Sequence, residues 1–446
     1  MLALTIVAIA TLTFATTVKF DQAMIVAIPF LAVIAILYIK HPEIGFSAFL
    51  VGQNLFAIPL LLVNSENTLI IYPLMGAVLL STFFLTLFYG KISLPRKISA
   101  IQISFLLIVL LFLLNLPRME INAYTIAKSV LFVSLCINTF IVLHFWGNQT
   151  EFFEKSIDYA LLLGIIPLVI SGVSFFQRGG ATQYVRFSAL AINVNQYARN
   201  MGFMTILAFY KIFNSKKTIH QLLLMLFISA SFAFIIFTGS RSAFLAAIIA
   251  IVFYLFVFTD VSLRKKVLLI SVLSIPLALF AIMAIGSMFS RLGSLQYVDM
   301  SLTGRIGMWK AVWESRFDEV LFGHGTGNYS AILPAWAKGA KLQHLHNVIM
   351  EYYIEWGIIG LLCYLALLMS CFKTAVYFIK KRKNSSLFIK LGGLSSSLFL
   401  YTLMLAMIVT TSTDHLFFIS IGLMSSMYIA HKEKDAHRDG SIGSSA

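Results

Sequence analysis

The chain has 446 residues, of which 59% are hydrophobic and 11% are charged, and its mean hydropathy is +0.90. Soluble globular proteins carry about a quarter charged residues, so this composition excludes a soluble enzyme or a soluble binding module. The formal net charge of +15 would suit a nucleic-acid partner. However, the lysines and arginines fall mostly in short connections between apolar segments, as the positive-inside rule requires, so no nucleic-acid partner is expected.

Apolar segments long enough to cross a bilayer recur along the whole chain. About 20 helical residues span the hydrocarbon, and helices are expected because the alternation of a β-barrel is absent. The sequence predicts an all-α polytopic membrane protein with about 14 transmembrane helices, or about 12 if the first or last pair is re-entrant. The predicted spans are 2–18, 22–39, 44–63, 68–89, 98–116, 126–147, 157–176, 188–210, 219–237, 241–259, 267–288, 346–372, 391–410 and 414–430.

Basic clusters between the spans indicate the orientation. If every span crosses once, the clusters at Lys91, Lys211, Arg264 and Lys380 fall on one side, which should be the cytoplasm. The predicted organisation is transmembrane helices over 1–288, one long extracytoplasmic loop with short helices over 289–345, C-terminal transmembrane helices over 346–430 and a cytoplasmic tail over 431–446.

Three arginines, Arg186, Arg241 and Arg305, lie in connections predicted on the outer side, where the positive-inside rule disfavours them. Arg241 follows Thr238-Gly239-Ser240 in a tight turn between two apolar spans, where an unpartnered arginine costs several kcal/mol. The position of any one of these arginines can be explained by snorkelling, in which the long side chain extends to a lipid phosphate group. Three together favour an anionic ligand, and a guanidinium group matches the oxygens of a diphosphate. With no acidic cluster of metal-binding spacing, neither a metal nor a cofactor is predicted.

His346 begins a predicted membrane helix whose polar face carries Asn347, Glu351 and Glu355 at intervals of four residues. This face must point into protein or a wet cavity. An imidazole there can act as a general base, although a histidine satisfied by loop carbonyls is the alternative reading, and His344 is a competing candidate. Glu355 lies about 13 Å along the helix from His346, so a salt bridge with an arginine is its expected role. Glu351 is nearer and can orient the imidazole or an acceptor.

The long loop contains two local patterns. Residues 306–317 place Met308, Trp309, Val312 and Trp313 on one face, which predicts an amphipathic helix at the bilayer interface. Gly323-His324-Gly325-Thr326-Gly327 lacks the lysine and the preceding strand of a nucleotide-binding P-loop, so a tight turn is predicted.

Four motifs occur in order between Arg186 and Gly360. They are Arg186 with Asn193-Val194-Asn195; Thr238-Gly239-Ser240-Arg241-Ser242; Thr303-Gly304-Arg305 with Trp309 and Gly323-His324-Gly325; and His346-Asn347 with Glu355-Trp356-Gly357-Ile358-Ile359-Gly360. In these motifs the chain resembles the O-antigen ligase and O-antigen polymerase superfamily, which includes bacterial protein O-oligosaccharyltransferases. The family pattern usually has a proline where this chain has Val194, and the N-terminal half resembles the family only in hydropathy.

The resemblance implies an inverting, metal-independent glycosyltransferase of the bacterial inner membrane with its active site facing the periplasm. It would move a glycan from undecaprenyl diphosphate to an acceptor sugar hydroxyl. Arg241 and Arg305 would bind the diphosphate with help from Arg186, and His346 would activate the acceptor. The supporting residues would be Asn195, Asn347, Glu351 and Glu355.

Several readings remain open. An O-antigen ligase that uses lipid A-core as acceptor is slightly favoured over a polymerase that extends a glycan, and protein glycosylation uses the same chemistry. A flippase or transporter of a lipid-linked anion is an alternative from another class, and a purely structural membrane partner is a third.

Overall fold

The computed structural model of the protein is mainly helical over the residues that it describes, with short turns and connections between the helices. The described residues are 37–58, 71–89, 98–121, 125–126, 128–136, 149–177, 193–264, 266–267, 271, 307, 309–310, 313–314, 319–328, 347–384, 386–407 and 414–438. No β-strand occurs in these ranges, and six of their helices are long and apolar enough to cross a membrane. The predicted all-α polytopic membrane fold is therefore confirmed, while the total number of spans stays a prediction.

The described helices follow the predicted spans closely. In chain order they are α1 (Glu43–Val51), α2 (Gln53–Phe56), α3 (Ile71–Phe88), α4 (Ala100–Asn115), α5 (Thr150–Gln177), α6 (Val194–Asn214), α7 (Thr218–Thr238), α8 (Arg241–Phe258), α9 (Val348–Lys381), α10 (Leu387–Ala406) and α11 (His415–Arg438). The candidate spans are α4, α5, α7, α8, α9 and α10. Helix α11 continues through Arg438, into the segment predicted as a tail.

One compact unit combines Met1–Ile92 with Gln149–Ala247. Within it, α1 packs against α3 and α5, and α6 packs against α7. Lys211 on α6 forms ion pairs with Glu154 and Asp158 on α5, with Nζ–O distances of 2.8 and 2.7 Å. Lys211 is buried, so this member of a predicted cytoplasmic basic cluster is part of the helix packing.

The other compact unit combines Ser93–Asn148 with Ile248–Ala446. Here α9 packs against α4, α10 and α11. Buried hydroxyl pairs join the helices at Ser99–Ser425 (2.7 Å), Ser104–Ser370 (3.2 Å) and Thr402–Ser420 (3.0 Å). Hydroxyl hydrogen bonds of this kind contribute about 1 kcal/mol each to helix association in lipid, where no hydrophobic driving force between helices exists.

Helix α9 consists of two helical parts separated by a sharp bend at Gly357. The bend residue has φ 68° and ψ −163°, outside the helical region. In a continuous helix, residues 352 and 364 would lie about 18 Å apart. Instead, the rings of Tyr352 and Tyr364 stack with centroids 4.5 Å apart. Most of the predicted span 346–372 therefore lies in a candidate membrane helix, and the structure adds that a glycine in a left-handed conformation interrupts this otherwise apolar segment.

Candidate functional site

The break in α9 is closed by residues 319–328 of the long loop, which we call the plug. Its backbone bonds to the groups that lose their helical partners at Gly357, as irregular backbone in a membrane helix requires. Two amides of the plug donate to carbonyls before the break, and two amides after the break donate to carbonyls of the plug. These four bonds are His324 N to Ile354 O (2.8 Å), Gly325 N to Glu355 O (2.8 Å), Ile358 N to Val320 O (2.8 Å) and Ile359 N to Leu321 O (3.4 Å).

Glycines allow the plug to approach the helix backbone this closely. Gly323, Gly325 and Gly327 have φ values of 69°, 92° and 79°, in the left-handed region that L-residues avoid. A Cβ on Gly323 would lie 2.5 Å from the carbonyl carbon of Glu355. The predicted tight turn is thus present, and the structure adds that it packs into a membrane helix.

Side-chain hydrogen bonds and an ion pair hold both ends of the plug in place. Trp356 donates from Nε1 to Thr326 Oγ1 at 2.9 Å. Asn328 donates from Nδ2 to the carbonyl oxygen of Arg118 at 2.9 Å, and its Oδ1 accepts from the Glu120 amide at 3.1 Å. Arg118 and Glu319 form an ion pair of 2.6 Å that is partly exposed. The long loop is therefore held to α9 and to the segment that follows α4.

A buried charge cluster lies beside the plug. Lys128 Nζ is 2.5 Å from Glu355 Oε1 and 3.8 Å from Glu351 Oε1, and all three side chains are at most 8% exposed. The ion pair expected for Glu355 is present, but the prediction of an arginine partner was wrong. A lysine 227 residues away in sequence takes that place.

Glu351 is the less satisfied carboxylate of the cluster. Both of its oxygens are buried, and neither has a hydrogen-bond partner among the described residues. It lines a cavity with Lys128, Thr326, Glu355 and Trp356, together with two aromatic rings. The cavity has room for about one water molecule. The spacing of Glu351 and Glu355 predicted a shared face, and both side chains do face this cavity.

The other predicted site residues are only partly within the described ranges. Asn347 is the N-cap of α9, and its Oδ1 accepts from the Met350 amide at 3.2 Å. Asn195 lies in the first turn of α6, and its amide donates to Asn193 Oδ1 at 2.8 Å. Arg241 is the exposed first residue of α8, after a turn that contains the left-handed Gly239. No hydrogen bond or ion pair joins Arg241 to another described residue.

His346, Arg305 and Arg186 lie outside the described residues. The convergence of the arginines beside a base therefore stays a prediction. Among the side chains that the structure does describe, no group of three or more His, Cys, Asp or Glu residues could hold a metal ion.

Sequence reasoning missed two buried cations, Lys128 and Arg199. Arg199 on α6 is 8% exposed, and its Nε donates to the Asn195 carbonyl at 3.4 Å. Both lie inside predicted spans, over 126–147 and 188–210, where a charged residue is expensive and usually functional or paired. That cost was the signal that could have identified them.

The family model described as O-antigen ligase matches residues 222–365. Over residues 222–365 the chain is similar to the O-antigen ligase family. The resemblance drawn from the sequence motifs is confirmed for this segment, which is less than half of the chain. No curated protein matches the sequence.

The matched segment contains Arg241, Arg305, His346 and the whole plug, while Arg186 and Asn195 lie before it. It supports a glycosyltransferase-like enzyme of the ligase or polymerase type, with a lipid-linked glycan and an acceptor as its general partners. The apolar helices and this match together indicate a multi-pass membrane protein.

Proposed function

We propose that the protein is an inverting, metal-independent glycosyltransferase that moves a glycan from undecaprenyl diphosphate to an acceptor sugar hydroxyl. The favoured activity is that of an O-antigen ligase with lipid A-core as acceptor, in a bacterial inner membrane with the active site facing the periplasm. The observation that carries the proposal is the O-antigen ligase match over 222–365, because this segment includes Arg241, Arg305 and His346.

In the proposed reaction, the acceptor hydroxyl attacks the anomeric carbon of the glycan. His346 takes the hydroxyl proton, a role that contributes about 10²- to 10⁴-fold in rate. The bond between the anomeric carbon and the diphosphate oxygen breaks, and its electron pair leaves with the diphosphate. Arg241 and Arg305 neutralise the developing charge with guanidinium hydrogen bonds, and Arg186 assists.

The described part of the site supports a ligand-binding role for Arg241. Its side chain is exposed at the N-terminus of a membrane-spanning helix, where the helix dipole also favours an anion. Because the guanidinium group has no described protein partner, a phosphate group can take both of its parallel hydrogen bonds.

Reconstitution of the purified protein with undecaprenyl diphosphate glycan tests this proposal. Lipid A-core and a second glycan-lipid are offered in turn, and the size of the product distinguishes ligation from polymerisation. Transfer should persist in EDTA, and His346→Ala should reduce it by at least about 100-fold while binding of the donor lipid is retained.

The same assay decides between the proposal and its alternatives. Extension of one glycan-lipid by another, without transfer to lipid A-core, would assign a polymerase of the same superfamily. Translocation of the donor across the bilayer by both the native protein and His346→Ala, with no transfer product, would instead indicate a flippase. A strict requirement for added Mg²⁺ or Mn²⁺ would contradict the mechanism based on arginine alone.

A further inference from the structure

The bend at Gly357 separates the direction of residues 348–356 from that of residues 358–381. A continuous helix transmits its direction through its hydrogen-bond ladder, but α9 loses that ladder at the bend, where the plug supplies the missing bonds. The position of residues 348–356, which we call the short arm of α9, is therefore set by tertiary contacts. Asn347 caps the short arm, and His346 directly precedes that cap in sequence.

Three kinds of contact hold the short arm. The plug bonds to its last carbonyls and, through Thr326, to the Trp356 indole. Lys128 pairs with Glu355 from the helical segment 128–136. The third kind of contact is aromatic packing. The centroid of the Trp356 ring lies 5.5 Å from that of Phe132 and 6.2 Å from that of Phe112. Tyr353 stacks on Trp313 of the long loop, with ring centroids 5.0 Å apart.

We infer that Lys128 and Thr326 are positioning residues for the glycosyl transfer, because they fix the short arm and thereby the placement of His346. This inference rests on the proposed function. It also assigns the plug a role beyond closing the helix: the plug ties the long loop, which carries Arg305, to the short arm, which is preceded by His346. Lys128 and Thr326 would have this effect without touching the substrate.

The nature of the contacts favours positioning over simple stabilisation. A buried ion pair costs several kcal/mol of desolvation per ion, and well-packed apolar residues of similar volume often stabilise a fold equally well. What the charged pair and the Trp356–Thr326 hydrogen bond add is a defined geometry. Catalysis is sensitive to that geometry, since a misplacement of about 1 Å can cost about 100-fold in rate.

Thr326→Val is the decisive variant, because it keeps the shape of the side chain and removes the hydroxyl that accepts from Trp356. Thr374→Val is the matched control. Thr374 is also a buried threonine of the same unit, and its Oγ1 bonds to the Ser370 carbonyl at 2.9 Å within residues 358–381. We expect Thr326→Val to lower kcat at least about 10-fold with the KM for the donor lipid unchanged, Thr326→Ser to restore kcat, and Thr374→Val to leave it within about twofold. Equal kcat values for Thr326→Val and Thr374→Val would overturn the inference.

A second measurement does not depend on catalysis. His346→Cys is made in each background, and the rate at which a water-soluble maleimide alkylates the new thiol is followed against the parent protein. The native Cys136 and Cys371 are buried and Cys363 is partly exposed, so the parent protein, which contains all three, gives the background rate. We expect Thr326→Val and Lys128→Met to change this rate, and Thr374→Val to leave it unaltered.

The two measurements separate the inference from the proposed function. An altered alkylation rate in a protein whose transfer activity survives His346→Ala would show that Lys128 and Thr326 position the short arm, but it would refute His346 as the base and overturn their role in glycosyl transfer. An unaltered rate would refute the positioning role, whatever the fate of the transferase proposal. If Lys128→Met fails to accumulate as a folded protein, the comparison of Thr326→Val with Thr374→Val still tests the positioning role.

Discussion

Glu351 and Glu355 lie one helical turn apart and face the same ammonium group, yet the structure gives them different environments. Glu355 has Lys128 at 2.5 Å, within hydrogen-bond distance. Glu351 has Lys128 only at 3.8 Å and no hydrogen bond among the described residues. Two carboxylates that share one cation repel each other, and burial strengthens that repulsion.

These environments predict opposite effects for the same substitution. Glu355→Gln removes the close partner of a buried lysine, so we expect it to lower the free energy of unfolding by about 3 to 5 kcal/mol. Glu351→Gln removes the like charge beside Glu355 and should leave the melting temperature in detergent unchanged or raised. Thermal unfolding of both variants, side by side with the native protein, provides the measurement. A larger loss of stability for Glu351→Gln than for Glu355→Gln would show that the roles of the two carboxylates are reversed.

At the residue scale, the sequence predicted the shared face of the two glutamates but not their partner. The spacing of four residues is a local property, so it could be read directly. Lys128 comes from a part of the chain 227 residues earlier, and only tertiary folding brings it to Glu355. A single lysine in an apolar span indicates that some partner exists, but it does not say which.

The element that most defines this fold is the bend in α9 with the plug that closes it. Gly357 and Gly323 both have left-handed φ values, and a Cβ on either would collide with backbone atoms of the other segment. Backbone atoms cannot rotate away as a side chain can. Each glycine therefore has both a conformational and a steric reason to be there.

Alanine substitutions test that requirement. We expect Gly357→Ala and Gly323→Ala each to destabilise the protein by more than the roughly 1–2 kcal/mol that the left-handed conformation alone costs. Gly307→Ala is the control, because a Cβ at this described loop position meets no atom within 4 Å. The measurement is the melting temperature of each variant in the same detergent. If Gly323→Ala and Gly307→Ala have the same melting temperature, the close contact between the plug and α9 is not formed.

Hydropathy predicted the helices well and the bend not at all. The predicted spans 98–116, 219–237 and 241–259 agree closely with α4, α7 and α8, because the apolar length needed to cross lipid is a property of composition. Gly357 stands among apolar residues that keep the hydropathy high across the bend. Its effect depends on the plug, which is separated from it in sequence and supplies the backbone partners.

At the scale of the whole molecule, charge and apolar surface are arranged for a membrane. Large apolar side chains are exposed along α4 at Leu106, Leu107, Leu110 and Leu113, an arrangement that suits lipid and would favour aggregation in water. Lysines and arginines gather at helix ends, for example Lys380 and Lys381 in the last turn of α9. The bilayer thus accounts for both the high hydropathy and the strongly positive net charge.

The orientation of the chain can be measured across α9 alone. Residues 358–381 are long enough to cross the bilayer once, since 24 helical residues extend about 36 Å. Lys310 lies before this crossing, with a side chain that is 75% exposed, and Lys383 is an exposed residue after it. We expect a membrane-impermeant maleimide to label Lys310→Cys in intact bacterial cells and to label Lys383→Cys only after permeabilisation, because the basic cluster after α9 belongs in the cytoplasm. Permeabilised cells, in which both thiols should react, provide the control. Labelling of Lys383→Cys alone in intact cells would invert the topology and place the plug, with the proposed site, inside the cell.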